Sequence, residues 1–392
     1  MNGLQSFLDA VFPGPKPEPI RALSLVKYAA RESLRHGVHV NGRRKAVASA
    51  QRGAGKGEGL AVTYGGAIDS EDAIVIGGAV KLLALRDRLP DTPEAFRLIY
   101  LVSSALPAHA EAFVKEAKRH GAKLVLNQNG VAYRAWCGDF YPWFNTPMRR
   151  LHQWADYVIY QSAFCRANAQ KYLGETSAPS EILFNPVDTN TFVPSPTPRP
   201  PGSPWRLLAA GTNHHFYRVR AVLDCLRLLR SAGHEVILTI AGEFRWKDGE
   251  AEVRNYVRQN NLTSWVRYLP PYHRNEAPRI YQNADILIHP KYKDPCPTVP
   301  IEALSSGIPV VGSQSGGMPE LVTEACGILL PVPDDWENDH VPRPGAFSRA
   351  VETIIQNHAS YAQAARQRAL AAFCETQWLD RHVEIFRNLL SC

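Results

Sequence analysis

Asp294-Pro-Cys-Pro-Thr298-Val-Pro-Ile-Glu302-Ala-Leu-Ser-Ser-Gly307-Ile-Pro-Val-Val311 stands shortly beyond the apolar run Asp285–His289. A continuous apolar run of this length reads as a strand buried on both faces. Thr298 reads as an N-cap, with Pro300 in the first turn and Gly307 at the stop, so a short helix is expected over Thr298–Ser306. Pro309–Val311 then returns as a strand. The order strand, loop, helix, strand is a βαβ unit of a parallel sheet, with the helix N-terminus at the strands' C-terminal edge. The N–H groups of Thr298 and Val299 are expected to face a cleft there and form an anion site suited to a diphosphate. Asp294 in the loop and Glu302 one turn into the helix flank that site and could accept hydrogen bonds from sugar hydroxyls. A plain loop aspartate and a helix-dipole partner fit the same two residues.

Working outward, the same alternation runs both ways. Downstream of Val193–Pro204, strands are expected at Arg206–Ala210, Val236–Ala241, Val266–Leu269 and Gly327–Leu330, with helices at Arg218–Ala232, Ala251–Asn260 and Ala277–Asn283. Upstream they are expected at Ala73–Ile76, Phe96–Val102, Ala122–Leu126, Tyr157–Tyr160 and Glu181–Phe184. Helices alternate with them, at Ala108–His120, Pro147–Ala155 and Ala163–Leu173 among others, and a helix runs from Gly77-Gly78 to Leu89. Val193–Pro204 holds six prolines in twelve residues and reads as a linker. Gly345–Leu390 looks wholly helical. The fold expected is α/β, two Rossmann-like doubly wound parallel-sheet domains facing a cleft. Residues 1–195 form the N-terminal acceptor-side domain and 205–375 the C-terminal one. At the start, Gly3–Phe12 and Ile20–His36 have helical spacing around the breaker Pro13–Pro19. Gly53–Gly59 is not a P-loop, because Ala50 stands where the first Gly belongs and Gly57 where Ser or Thr does; it reads as a flexible loop.

The 392 residues carry 45% hydrophobic and 21% charged side chains, which rules out bulk disorder. The net charge of +7 suits an anionic ligand or an acidic membrane surface, yet no block of like charge points to nucleic acid. Seven cysteines, none in a C-x-x-C pair, argue against zinc and thioredoxin-like chemistry and suit a reducing compartment. With no signal peptide or transmembrane run, the expectation is a cytoplasmic protein, with peripheral contact at the inner face of the membrane left open. No G-x-G-x-x-G follows a strand, which counts against a nicotinamide dehydrogenase.

The quoted segment resembles the E-x7-E signature of retaining GT-B glycosyltransferases of family four, with Asp294 in place of the first Glu and Glu302 as the second. The family's E-A-x-x-x-G-x-P-V-V tail is matched from Glu302 to Val311. Gly316-Gly317-Met318-Pro319-Glu320 matches its G-G-x-P-E turn, and Ala155-Asp-Tyr-Val-Ile-Tyr-Gln-Ser162 its A-D-x-V-x-x-x-S strand. Asn185-Pro-Val-Asp-Thr-Asn-Thr-Phe192 is similar to its N-G-V-D-x-x-x-F turn, and Ala284-Asp285 with His289-Pro290 to its A-D-x-x-x-x-P strand. The resemblance spans about residues 73–390.

What the resemblance implies is transfer of a sugar, with retention, from a nucleotide-sugar co-substrate that is most often a UDP-sugar. No metal or other cofactor is implied, and a glycan, lipid or small molecule would be the acceptor. Glu302 would bind ribose hydroxyls, Asp294 the transferred sugar, and the Thr298 and Val299 N–H groups the phosphates. Main chain from Leu269 onward would meet the base. Gly77, Gly78 and Lys81 correspond to the family's glycine loop. The family's G-R-L-x-x-x-K-G is replaced by Gly211-Thr-Asn-His-His-Phe-Tyr-Arg218, so Arg218 or Arg220 would stand in for the diphosphate clamp. Asn127 and Asn129 lie where family members often place His, and Tyr133, Trp136 and neighbouring aromatics suit either sugar stacking or a packed flap. A helix from 376 onward would cross back to the first domain. The altered clamp leaves open a catalytically weak homologue that binds a nucleotide-sugar or glycan.

Overall fold

The computed structural model describes residues 40–66, 78–197 and 199–391. The expectations for Gly3–Phe12, Pro13–Pro19, Ile20–His36, the strand Ala73–Ile76 and Gly77 lie outside the described residues. The first half runs α1 (Val40–Gly53), β1 (Val62–Thr63), α2 (Gly78–Arg88), β2 (Leu98–Val102), α3 (Ala110–Arg119), β3 (Lys123–Gln128), α4 (Arg134–Cys137), α5 (Tyr141–Trp154), β4 (Tyr157–Tyr160), α6 (Ala163–Leu173) and β5 (Ser180–Ile182). The second runs β6 (Trp205–Ala210), α7 (Phe216–Ser231), β7 (Val236–Ala241), α8 (Gly249–Gln259), β8 (Val266–Leu269), α9 (Ala277–Gln282), β9 (Ile286–His289), α10 (Thr298–Ser305), β10 (Val310–Gln314), α11 (Met318–Leu321) and β11 (Gly327–Pro331). Three helices follow, α12 (Pro344–Gln356), α13 (His358–Ala372) and α14 (Glu375–Ser391).

Among the described residues the first sheet has the order β1-β2-β3-β4-β5 and the second β11-β10-β9-β6-β7-β8. Both are parallel throughout, as in Leu124 opposite Ile99 and Leu208 opposite Thr239. Every residue of β2 is buried, as is every residue of β9, because helices cover both faces of each sheet. The second sheet reverses direction of growth between β9 and β6. That switch point opens a crevice at the strands' C-terminal ends.

Four expectations shift. Asn127 and Gln128 are not beyond the strand but are the last residues of β3, where both are buried. The helix assigned to Pro147–Ala155 begins six residues earlier, at Tyr141, with Pro142 in its first turn and Pro147 inside it. A proline at N1 or N2 loses no bond, since those N–H groups have no intrahelical acceptor. The tail is three helices, broken at Asn357 and again at Phe373-Cys374. The Gly53–Gly59 loop is pinned rather than flexible: Phe96 N–H donates to Gly53 carbonyl at 2.9 Å and Gly55 N–H to Phe96 carbonyl at 2.8 Å.

α14 packs on the first sheet. Trp378, Ile385 and Phe386 share a core with Val62, Leu82, Leu98 and Tyr100. His382 is buried there, with Nε2 3.1 Å from the Tyr100 hydroxyl and Nδ1 2.8 Å from the Trp378 carbonyl. Burial pushes its imidazole down to about 3. The chain thus passes between the halves twice. The two passes lie side by side: Val187 N–H donates to Phe373 carbonyl at 2.8 Å and Glu375 N–H to Val187 carbonyl at 3.0 Å.

Candidate active site

α10 begins at Thr298, so the N-cap is Pro297 and not Thr298, and no side chain caps the helix. Three prolines between Pro295 and Pro300 fix the approach, and Pro300 has no N–H to satisfy. The Thr298 and Val299 N–H groups therefore lack intrahelical acceptors at the positive end of the helix. Gly211 abuts this end. Its φ is +102°, and a Cβ there would sit 3.3 Å from Val299 Cγ2. Behind it, Gly242 has φ +117°, and a Cβ would meet Gly211 carbonyl oxygen at 2.3 Å. The two turns at the ends of β6 and β7 can nest only without side chains.

Asp294 is buried in the loop ahead of α10. Its Oδ2 lies 2.6 Å from Lys291 Nζ and 3.7 Å from His289 Nε2. Burial alone would raise this carboxyl; Lys291 and His289 outweigh that and hold it below the usual carboxylate range. Gly316 and Gly317 fix the loop from behind. Gly316 has φ +66°, and a Cβ on either glycine would strike the Asp294 or Pro295 carbonyl, at 2.3 Å and 2.0 Å. Glu302 is half-buried, and Tyr281 Oη donates to its Oε2 at 2.6 Å. Burial pushes its carboxyl up to about 7, against the opposing Tyr281 hydrogen bond and the charge of Arg274. One carboxyl is thus held ionised and the other pushed toward its neutral form, one before and one after the start of the helix.

Arg218 lies in the first turn of α7, buried. Its Nε donates to Tyr217 Oη at 3.0 Å and its Nη2 to Asp339 Oδ2 at 2.9 Å; Tyr217 Oη in turn donates to the same Asp339 carboxylate. Leu269 ends β8 partly exposed, and its carbonyl accepts from Gly242 N–H at 3.1 Å.

The first half supplies the opposite wall. Gly78 opens α2, and Lys81 follows one turn on, buried, with Nζ donating to Asn127 Oδ1 at 3.1 Å. Burial lowers its ammonium to about 7. Asn127 is a packing hub: Oδ1 also accepts from Gln161 Nε2 at 3.3 Å, and Nδ2 donates to Tyr100 Oη at 2.9 Å. Asn129 Nδ2 donates to Ser104 Oγ at 2.7 Å. Tyr133 is buried and meets Trp336 of the second half edge-on at 5.2 Å, so it borders the second half's site. Trp136 does not: it is 58% exposed, edge-on to Phe144 at 6.2 Å. Gln128 Oε1, Asn129 Oδ1 and His289 Nε2 are buried without a hydrogen-bond partner among the described residues. Such atoms around one crevice call for a polar guest. Among the described residues no cluster of three His, Cys, Asp or Glu could hold a metal.

Ser162 and Glu320 help to join the walls. Ser162 Oγ, which caps α6 by accepting from Cys165 N–H at 3.0 Å, donates across to Pro295 carbonyl at 2.8 Å. The Glu320 carboxylate accepts from Ala163 and Phe164 N–H at 2.6 Å and 2.9 Å. Asp339, Tyr217 as its partner, Lys291 and Trp336 went unread in the sequence. A tyrosine at an expected cation position was the one signal for Tyr217, and nothing local marks Asp339.

Residues 198–368, which hold α10 and Asp294, match the family model of the group 1 glycosyl transferases. This stretch of the chain is similar to the group 1 glycosyl transferases. Curated relatives include D-inositol 3-phosphate glycosyltransferase of Mycobacteroides abscessus, 32% identical over 133 residues, covering 30% of each chain. Glycogen synthase of Mycobacterium tuberculosis is 25% identical over 222 residues, covering 56% of this chain and 51% of that one. The chain therefore spans about half, or less, of these relatives. HepE of Anabaena, solved in complex with UDP, superposes with a TM-score of 0.60 at 17% identity, covering 79% of this chain and 81% of that one. Sucrose-phosphate synthase of Thermosynechococcus elongatus gives 0.60 at 18% identity, covering 79% and 76%. The architecture is GT-B, and the residues that match the group 1 model lie in its C-terminal half. No described helix is long and apolar enough to cross a membrane.

Proposed function

We propose that this protein transfers a sugar from a nucleoside diphosphate sugar, most simply a UDP-sugar, to a hydroxyl of a glycan, lipid or small-molecule acceptor, with retention at the anomeric carbon. The observation that carries the reading is the pairing of Asp294 and Glu302 about the uncapped start of α10. In this reading Glu302 takes the ribose hydroxyls and Asp294 a hydroxyl of the transferred sugar. The Thr298 and Val299 N–H groups and Arg218 stabilise charge on the leaving diphosphate, whose oxygen accepts the acceptor's proton. Gly211 gives the backbone room to approach the phosphates, main chain beyond Leu269 takes the base, and Lys81, one turn after Gly78, offers its amino group from the far wall. Tyr133, Asn129 and Asn127 belong to the acceptor side, with Trp136 at its rim. The six cysteines among the described residues are unpaired, which supports a cytoplasmic setting.

Titration calorimetry with UDP, GDP and ADP tests this. One nucleotide should bind, and Glu302→Ala should weaken it roughly 10- to 100-fold, the scale of a hydrogen bond to a charged group. No binding of any of the three overturns the donor site. The Arg218–Asp339 pair favours a second reading, a donor-binding homologue with weak turnover. Tight UDP binding without transfer or donor hydrolysis would select it.

A further inference from the structure

Residues 332–343, between β11 and α12, contain neither helix nor strand. A stretch of that length without secondary structure is uncommon inside a compact domain and tends to be functional. It is nevertheless well fastened. Asp335 folds it back on itself: its Oδ1 accepts from Glu337 N–H at 2.8 Å, and its Oδ2 is 2.8 Å from His340 Nε2. Tyr292 Oη accepts from Asp335 N–H at 2.7 Å.

The segment then reaches two places at once. Toward the first half, Trp336 stacks on Phe164 at 5.8 Å, nearly parallel, and meets Tyr133 edge-on at 5.2 Å. Its carbonyl accepts from Ala135 N–H at 2.9 Å, and Glu337 pairs with Arg134 at 2.9 Å. Toward the second half, Asp339 sits on Arg218 and Tyr217, with 9% of the arginine side chain and 15% of the aspartate exposed.

We propose that Asp339 is an internal competitor for the donor's diphosphate. This rests on the proposed function, in which Arg218 receives that diphosphate. The guanidinium cannot offer its full charge to a diphosphate while a carboxylate neutralises it, and a carboxylate left beside the phosphates would repel them. Donor binding therefore requires Asp339 to leave Arg218. Because Asp339 shares a strap with Trp336, its departure is linked to how the strap sits on the first half. Donor entry and the wall beside Tyr133 are coupled through one short segment.

The test is UDP titration of the full chain and of Asp339→Asn, Arg218→Ala and the double variant, with thermal melts to verify folding. Asp339→Asn keeps the size of the side chain and should tighten UDP roughly three- to tenfold, the scale of a partly buried ion pair released. The gain should shrink or vanish in the Arg218→Ala background, as a coupled pair requires. An unchanged or weaker affinity in Asp339→Asn overturns the proposal. So does an equal gain in both backgrounds, which would reflect bulk charge. If the wild type binds UDP and Glu302→Ala removes it while Asp339→Asn gains nothing, the donor site stands and the competitor falls. If no form binds any nucleotide, both fall.

Discussion

At the scale of single residues, the two carboxylates of the site are set apart by their surroundings. Asp294 has Lys291 and His289 beside it; Glu302 has burial and a tyrosine hydroxyl. The Glu302 carboxyl, raised from 4.5 to about 7, is favoured in its neutral form by the fold. Its contribution to stability is complete below pH 4.5 and is lost as pH rises through 7. Glu302→Gln should therefore melt above the wild type at pH 8, by on the order of 2–3 kcal/mol of folding free energy, and converge with it at pH 4. Melting curves across that range check this. His382 has the opposite sign. Its imidazole is lowered from 6.5 to about 3, so its contribution is present above pH 6.5 and declines as pH falls toward 3. At pH 5 the wild type should lose about 2 kcal/mol relative to a His382→Gln variant with both referenced to pH 8. A matching loss in the variant would assign the acid sensitivity elsewhere.

At the scale of elements, the glycine turn Gly316-Gly317 is what keeps the Asp294 loop in place. Gly316→Ala must put a side chain at positive φ and against a carbonyl, at a cost of about 1–3 kcal/mol. The expected result is a weakened sugar-nucleotide interaction, read by titration with UDP-glucose against UDP alone, with sheet content by circular dichroism unchanged. Elements were also where the sequence was most readable. Tyr157–Tyr160, Ala163–Leu173 and Val266–Leu269 coincide with their strands and helix; for Tyr157–Tyr160 the signal was the unbroken apolar run of a buried strand. The start of α10 was legible because prolines, Thr298 and Gly307 are local signals. Asn127 and Gln128 were misread because polar side chains at a strand end look like a loop, and the Tyr100, Lys81 and Gln161 groups that bond Asn127 lie far from it in sequence. Asp339 was invisible for a related reason. Its partner Arg218 is 121 residues away, and no spacing rule reaches that far.

At the scale of the whole molecule, the walls of the crevice are joined by few, well-aimed contacts. Glu320 of the second half closes the N-terminus of α6 in the first, where a carboxylate meets unsatisfied N–H groups. Glu320→Ala should open the crevice, seen as an increased radius of gyration in small-angle scattering. Sugar transfer should fall while UDP affinity stays within about twofold, since α10 is untouched. Unaltered scattering would show that Ser162 and the strap suffice.

The placement of α14 also bears on how the chain is made. Tyr100 lies 282 residues ahead of the histidine that packs on it. A ribosome delivers the first sheet long before Trp378, Ile385 and Phe386 exist to cover it. Domains ordinarily fold in the order they emerge. Here the earlier one must wait, with an apolar face uncovered, until the second sheet and α14 have been made. Nascent chains of this protein should therefore draw on holdase chaperones until α14 has emerged, and a stop codon before residue 375 should yield aggregates rather than a shortened folded protein.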